Sequence, residues 1–590
     1  MNFSDLRQFL NFLEARGQLV RVRTQVNPNQ EITVIQHRVM AQDGPALLFE
    51  RVRNSPYRLV SNLFGTRQRV AWAFGEAPAE LGRRLVYLTQ QLMPPSPLKL
   101  WRCRKDLLSL VHARLRTVAT GPITETLTTL PDLLKLPVLT CWPGDGGPFL
   151  TLPLVHTVDP DDGRGNLAIY RLQRFDSRCT GMHWQIEKGG GFHFHKACRR
   201  GRSLPVSVIL GGPPSLIIAA IAPLPEGVDE RLLAAYITGK PLDVLRRPES
   251  GHLIPAKAEF VLEGTVSPGD LRREGPFGDH FGHYSQAADY PVLRVKRLLA
   301  RKDAIYPATV VGKPIQEDYY LGEALQEMTL PLLKLMRPAV TDLWAYPETG
   351  FHPLAVMAVR ERYPREALKH ALGLLGEGQV SLTKVMIAVN DGVAVRDFWQ
   401  VSRALWRHLD AEEGIFLLTP TAQDTLDFTG PALNTGSRLI LMAAGRRRPL
   451  RTTPPPPPPP PAAVDRRIRR LASFGPAFLL VQVAEGHLDV GSLRAALEWH
   501  PDTGGYLFQV LLSEDIELDD PVMTLWGWFS RFDPQKDLHA ARTRVSDNHL
   551  VFDFPILIDA RWKRGYPQPV AFDPTVERLV SRRWSEYGIR

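Results

Sequence analysis

The chain has 590 residues, enough for about three or four domains at roughly 150 residues each, and its 44% apolar and 23% charged residues are those of an ordinary globular protein. That excludes a disordered, collagen-like or disulfide-scaffold protein. Lys and Arg outnumber Asp and Glu by 72 to 62, but eight arginines against one aspartate between Gly445 and Arg470 account for +7 of the +10, so the surplus marks one segment and no nucleic-acid-binding face is expected.

In chain order, Ser4 can cap a first helix in which Leu6, Phe9, Leu10 and Leu13 recur at helical spacing, with Gly17 as the stop. No basic segment followed by an apolar core opens the chain, so no signal peptide is expected. Strand-like Leu19-Val20-Arg21-Val22 and Ala46-Leu47-Leu48-Phe49 follow, and residues 1–120 read as a small α/β unit. From 121 to about 320, strands such as Leu167 to Tyr170, Val206 to Leu210 and Phe260 to Leu262 alternate with Gly- and Pro-rich turns, giving a β-rich barrel or sandwich. The uncharged stretch Ser203 to Pro225 holds five prolines and reads as strand and turn, not as a membrane span.

Residues 321–445 alternate helix and strand. Pro454 to Pro461 is an unbroken proline run, a stiff exposed spacer within an Arg/Pro-rich linker, 446–470. Residues 471–590 echo what precedes the linker: Val385 to Asp391 returns as Val510 to Asp515, and Leu426-Asp427-Phe428 as Phe552-Asp553-Phe554, at an offset near 124. A βα unit used twice is expected, followed by a terminal helix. The cysteines at 103, 141, 179 and 198 form no C-x-x-C pair, so a reducing cytoplasm is expected.

Three segments hold residues that could carry chemistry. Glu274-Gly275-Pro276-Phe277-Gly278-Asp279-His280 places two carboxylates around a Gly-Pro turn. Held together they repel, which raises at least one pKa and suits acid/base work; held apart they are solvated surface acids. In Asn166-Leu167-Ala168-Ile169-Tyr170-Arg171, a strand puts 167, 169 and 171 on one face; Arg171 can clamp a carboxylate or make a plain salt bridge, and Asn166 can ligate a hard cation. Met182 to His195 has a Lys188-Gly189-Gly190-Gly191 loop suited to phosphate, and His193 and His195 spaced as H-x-H.

Together with Leu136 to Gly147 and Tyr306 to Gly312, these segments resemble the UbiD-type decarboxylases, from about residue 3 to 430 and again near the C-terminus. The resemblance implies an α/β and α+β multidomain protein: the N-terminal α/β unit, a central β-rich split-barrel flavin-binding domain, and a C-terminal α/β oligomerisation-type domain with the duplicated βα unit. It implies Arg171, Glu274 and Asp279 as catalytic residues. Prenylated-FMN contacts fall on Ile169, Tyr170, Arg171, His183, Trp184, Gln185, Lys188 and Gly189, with Ile221, Ala222 and Pro223 facing the flavin. Metal ligands fall on Asn166, Glu230 and, as third, His193.

The implied cofactors are prenylated FMN with Mn2+ or Mg2+, and K+ as a further ion. The implied partners are an aromatic carboxylic acid, a flavin prenyltransferase that supplies the cofactor, and further copies of the chain. The expected role is decarboxylation of an aromatic hydroxy acid in menaquinone or ubiquinone formation, in the cytoplasm, with peripheral membrane contact for a prenylated substrate. In this reading an apolar setting raises the pKa of Asp279. Alternatives are a simpler phenolic substrate, or a cofactor-binding scaffold with decayed catalysis. The second is motivated by Gly436-Ser437-Arg438, where many members carry lysine, and by the glycine loop altered around Glu187 and Lys188.

Overall fold

The computed structural model describes residues 2–185, 189–225, 227–313, 315–445, 448–484, 486 and 488–589. Two compact units form, residues 1–329 with 568–590, and residues 330–567.

In the first unit the opening helix, Leu6–Glu14, buries Leu6, Phe9, Leu10 and Leu13 as the spacing requires, but its cap is Asp5, whose carboxylate accepts from the Gln8 amide; Ser4 instead donates its own backbone N–H to the Gln8 side chain. The strands Leu19–Val22, Ala46–Phe49 and Arg58–Ser61 form a sheet completed by Ile305–Pro307, so the N-terminal layer borrows a strand from the end of the central region. The large sheet is built on the long hairpin of Phe260–Glu274 and Ala288–Ala300. From it the order runs outward through Leu204–Leu210 and Leu154–Val158 to Gly165–Ile169 on one side and to Cys179–Gly181 on the other. The described pairings make an open path; Arg171 follows its Gly165–Ile169 end, and Glu274 and Asp279 lie on the central hairpin.

Alternation along Gly165–Ile169 and the residue after it follows the expected period of two. Leu167 and Ile169 pack in one core cluster, Ala168 and Tyr170 in the other. The expected apolar stretch becomes the strand Leu204–Leu210 and the helix Pro214–Ile221.

The terminal helix, Pro574–Arg583, does not stay with the second repeat as expected. It packs on the helix Glu31–Met40, where the Tyr587 hydroxyl donates to Glu31 Oε1 at 2.7 Å, and Phe572 stacks on Trp142 at 4.8 Å. Burying these aromatic rings fixes the segment to the first unit.

In the second unit the duplication reaches further than a βα unit. Val340–Ala345, Leu354–Val359, Val385–Asn390, Thr435–Ala443 and Ile415–Ala422 form one sheet; Ile468–Ser473, Phe478–Val483, Phe508–Ser513, Ile556–Asp559 and Leu538–Ala540 form another. Both read antiparallel, parallel, parallel, antiparallel in that order. The two copies share one core in which Phe398 stacks on Phe478 at 5.5 Å and meets the edge of Trp528 at 5.9 Å. The proline run is less exposed than expected: Tyr506 donates its hydroxyl to Pro456 O at 3.0 Å, Pro455, Pro458 and Pro459 are half-buried, and Ile468–Ser473 is already strand.

Candidate active site

Three chain segments meet at the site. Arg171 follows the strand Gly165–Ile169, Glu274 ends the strand Phe260–Glu274, and Asp279 sits in the turn leading to Ala288–Ala300. The Arg171 guanidinium donates through Nε to Glu274 Oε1 at 3.2 Å, through Nη1 to Asp279 Oδ2, and through Nη2 to the Ser285 hydroxyl at 3.0 Å. The Phe277 ring lies 5.0 Å from the guanidinium carbon. Glu274 is fully buried; Gly181 makes room for it, since a Cβ there would lie 2.4 Å from Glu274 Oε2. Residues 103 and 108 positions apart in sequence thus share one cation.

Asp279 behaves opposite to expectation. Burial pushes its pKa up, but the hydrogen bond from His280 and the charge of Arg171 outweigh burial and hold it well below the usual carboxylate value. The sequence-based expectation counted the apolar surroundings and missed the two donors.

Next to the trio, His183 donates from Nδ1 to Glu274 Oε1 at 3.0 Å, because a carboxylate can only accept. Burial, with Arg171 beside it, lowers its pKa and keeps it neutral, and its ring lies 4.3 Å from that of Tyr290. Three buried polar atoms here find no partner among the described residues: His183 Nε2, Glu274 Oε2 and Trp184 Nε1.

A second group of expected residues assembles around the start of the helix Gly189–Arg199. The Gly190 amide donates to the Tyr170 hydroxyl at 3.1 Å, and a Cβ at Gly189 would lie 2.3 Å from Asn166 Oδ1, so only glycine permits the approach. Glu230 opens the helix Glu230–Thr238 and accepts the Leu167 amide at 2.7 Å, directly beside Asn166. Burial pushes its pKa up to about 7. Asn166 lies beside the Tyr170 hydroxyl, and among the described residues its Nδ2 is buried with no hydrogen bond of ordinary geometry.

His193 does not join Asn166 and Glu230. Its Nδ1 is hydrogen-bonded with Thr157 Oγ1 at 2.9 Å and its Nε2 lies 3.8 Å from Asp159, so both ring nitrogens face other groups. Among the described residues no three His, Cys, Asp or Glu side chains form a metal-binding group. Ile169, Ile221 and Ala222 border one core cluster, with the helix Pro214–Ile221 packed on the strand of Asn166; Pro223 is exposed and Gln185 half-buried. Lys188 lies outside the described residues, as does Glu187.

The donor set fits the implied cofactor. Four buried polar atoms lack partners among the described residues, a glycine-lined helix start faces Asn166, and a carboxylate whose charge is costly in isolation accepts the backbone amide of the residue after Asn166. Two hard oxygen donors suit Mg2+ or Mn2+, which commonly complete their shell with water and phosphate.

Sequence reasoning missed Ser285, His280 and Asp318. Asp318, on the first turn of the helix Glu317–Met336, has its pKa raised to about 6 by burial, with His280 and Asp279 its charged neighbours. The direct adjacency of His280 to Asp279 was the available signal.

In the second unit, Arg438, expected from the resemblance to replace a lysine, donates to the carbonyls of Leu375 at 2.6 Å and Ala422 at 2.8 Å. The neighbouring Ser437 hydroxyl donates to Asp533 of the second copy, where Lys563 lies 3.3 Å from Asp537.

Comparison with known proteins agrees with this geometry. The N-terminal, Rift-related and C-terminal domain models of 3-octaprenyl-4-hydroxybenzoate carboxy-lyase match residues 10–89, 116–314 and 319–443. The chain is 40% identical over 592 aligned positions to a 4-hydroxybenzoate decarboxylase component of Chlamydia pneumoniae, covering 99% of this chain and 98% of that one. A protein of Chlamydia trachomatis is 40% identical over 588, covering 99% of both, so the second repeat is shared by both relatives. Among solved structures, vanillic acid decarboxylase of Sedimentibacter hydroxybenzoicus in closed form has a TM-score of 0.68 at 25% identity, covering 77% of this chain and 96% of that one. The UbiD-class enzyme HmfF of Pelotomaculum thermopropionicum, in complex with FMN, has a TM-score of 0.63 at 26% identity, covering 76% and 95%. With more than half its length matched by all three domain models in order, this chain belongs to the UbiD family of carboxy-lyases and is a decarboxylase.

Proposed function

We propose that the chain removes CO2 non-oxidatively from an aromatic hydroxy acid, with prenylated FMN as resident cofactor and Mn2+ or Mg2+ seating its phosphate. The carrying observation is the buried trio: one guanidinium shared by Glu274 and Asp279 beside unpartnered polar atoms. The carboxy-lyase domain models and the relative named as part of a 4-hydroxybenzoate decarboxylase support a hydroxybenzoate-like substrate, and quinone formation as the route it serves.

When bound, prenylated FMN supplies the electron sink for the pair left when CO2 departs, which side chains alone stabilise poorly. Asn166 and Glu230 would hold the cation. Tyr170, His183, Trp184, Gln185 and Gly189 would seat the flavin, with Ile169, Ile221 and Ala222 as its apolar side.

Arg171 receives the substrate carboxylate. It already serves two acids, so an incoming third carboxylate raises the proton affinity of Asp279. At 4 Å and an effective dielectric near 20 the repulsion is about 4 kcal/mol, or roughly a thousandfold in proton binding. From a resting value well below that of an ordinary carboxyl group this narrows the gap without protonating Asp279 outright at pH 7, so the proton reaches it from a neighbouring group during the reaction. When the carbon–carboxylate bond breaks, Asp279 passes that proton to the carbon and returns to the carboxylate that Arg171 and His280 favour. Glu274 holds Arg171 and His183 in place throughout. Asp318, with a pKa near 6 and His280 as neighbour, is suited to resupply the proton.

The test is the protein co-expressed with a flavin prenyltransferase, its flavin absorbance, and CO2 release from a panel of hydroxybenzoic and naphthoic acids. A bound chromophore with turnover is expected. A chromophore without CO2 release from any aryl acid would replace this reading with the cofactor-binding scaffold.

A further inference from the structure

Asp279 and Ser285 each accept a hydrogen bond from the Arg171 guanidinium, so both ends of one short stretch of chain are tied to the same cation. Between them the chain turns back on itself. The Asp279 amide donates to His283 O at 3.2 Å and the Ser285 amide to Phe277 O at 2.8 Å. Gly278 and Gly282 leave this turn without side chains to brace it.

The brace comes from the far end of the chain. The Tyr284 amide donates to Gln568 O at 3.1 Å, the Val570 amide donates to Gly282 O at 3.0 Å, and His283 and Pro569 form an antiparallel bridge. Residues 568–570 thus lie as an outer strand against 282–284, which in turn backs 277–279. Side chains press on the same place. A Cβ at Gly278 would lie 2.2 Å from Trp142 Cδ1 and 2.8 Å from Val570 Cγ1, so the residue before Asp279 rests on both. Trp142 is fixed by its Nε1 donating to Val311 O at 2.8 Å, and Phe572 stacks on it at 4.8 Å. The matched family ranges end at residue 443, so none of them accounts for this segment. A segment that only stabilised the fold could be fastened anywhere on the first unit. This one is fastened to the residues between two partners of Arg171.

We propose that residues 568–572 position Asp279, with Phe572 acting through Trp142 and Gly278. The proposal rests on the acid role given above to Asp279. A proton donor must lie within hydrogen-bond reach of the atom it serves, and a displacement of about 1 Å can cost roughly a hundredfold in rate. Phe572 is therefore a positioning residue, which reaches the acid only through its neighbours.

The experiment uses the full chain co-expressed with a flavin prenyltransferase, and the acid of the hydroxybenzoic and naphthoic panel that wild type turns over fastest. Phe572→Ala should lower kcat roughly 10- to 100-fold, with KM and flavin content near wild type. Phe572→Tyr, which keeps the ring, should restore kcat. In an Asp279→Asn background Phe572→Ala should add less than about twofold, because a displaced amide that delivers no proton has nothing further to lose. Hydrogen exchange at the Tyr284 and Val570 amides should quicken in Phe572→Ala and not in Phe572→Tyr, a readout independent of turnover. Phe572→Leu, which keeps bulk without the flat ring, serves the same comparisons if the alanine variant does not fold. Full kcat in Phe572→Ala, a loss that multiplies with that of Asp279→Asn, or unchanged exchange overturns the proposal and leaves the acid role standing. No release by wild type from any acid of the panel, or undiminished release by Asp279→Asn, removes the acid role and the proposal with it.

Discussion

Replacing Arg171 by methionine tests the site through stability, with no assumption about substrate. The substitution keeps an unbranched apolar stem and removes the guanidinium that serves Glu274, Asp279 and Ser285. Glu274, fully buried, is then left with only the neutral His183, and Asp279 loses one of the two partners that outweigh its burial. Breaking a buried ion pair from one side costs about 3–5 kcal/mol, and that loss is expected at pH 7. Asp279 has its pKa depressed in the folded protein, so its contribution is present above the usual carboxylate value near 3.8 and lost as pH falls below it. The gap between wild type and Arg171→Met should therefore be full above about pH 5 and narrow on further acidification. Adding Glu274→Gln removes the stranded charge and should return about 2 kcal/mol of the loss. The measurement is urea unfolding followed by hydrogen exchange of the Phe260–Glu274 amides, so that only the first unit reports. A loss below about 1 kcal/mol at pH 7, or no recovery on adding Glu274→Gln, would refute the shared-cation account.

Asp279→Asn should lower single-turnover CO2 release by roughly 10²–10⁴ with flavin content unchanged; undiminished release would pass the acid role to Glu274. Glu230→Gln should reduce flavin retained after dialysis against chelator, because an amide binds a divalent cation less strongly than a carboxylate; normal retention rejects the metal assignment. Binding of a non-reactive aryl carboxylate at about pH 5 should take up more protons in wild type than in Asp279→Asn, read from the buffer dependence of the binding heat; equal uptake in both would place the proton elsewhere.

The parts of the site legible in sequence were those carried by local pattern. Alternation along Asn166 to Arg171 assigned its two faces, and the Glu-Gly-Pro-Phe-Gly-Asp run marked a turn with two acids. The direction of the Asp279 pKa was not legible, because a cation from 108 positions away and the next residue's imidazole decide it. His193 was chosen by its place in a glycine-rich segment, yet its helix turns it to Thr157 and Asp159, which sequence spacing does not reveal. The duplication was visible in the apolar strands Val385–Asn390 and Phe508–Ser513 and in the echo of Leu426-Asp427-Phe428 by Phe552-Asp553-Phe554. The edge strands Val340–Ala345 and Ile468–Ser473 share a place in their sheets but little composition, because edge positions constrain pairing more than side chains. The terminal helix left its expected neighbours because aromatic burial, not chain proximity, fixes where a short segment settles.

The charge count of the site explains why a carboxylate held firmly ionised can still be an acid. Arg171 supplies one positive charge, Glu274 and Asp279 two negative, and His183 is neutral, so the resting trio already carries an excess negative charge. A substrate carboxylate deepens that excess, and of the two protein acids Asp279 is the one bonded to His280 and within the field of Asp318, whereas the histidine on Glu274, His183, is held neutral. Glu274 is locked between Arg171 and His183 with its second oxygen buried and unpartnered, away from the proton sources that flank Asp279. The proton that balances the reaction is therefore delivered through Asp279, the acid with proton sources beside it. Loss of neutral CO2 leaves the electron pair and its charge on the side of the substrate carbon, and the proton passed from Asp279 to that carbon neutralises it while Asp279 regains the carboxylate form that Arg171 and His280 favour. The same Arg171 that depresses the resting pKa thereby makes the acid available only when a carboxylate is in place.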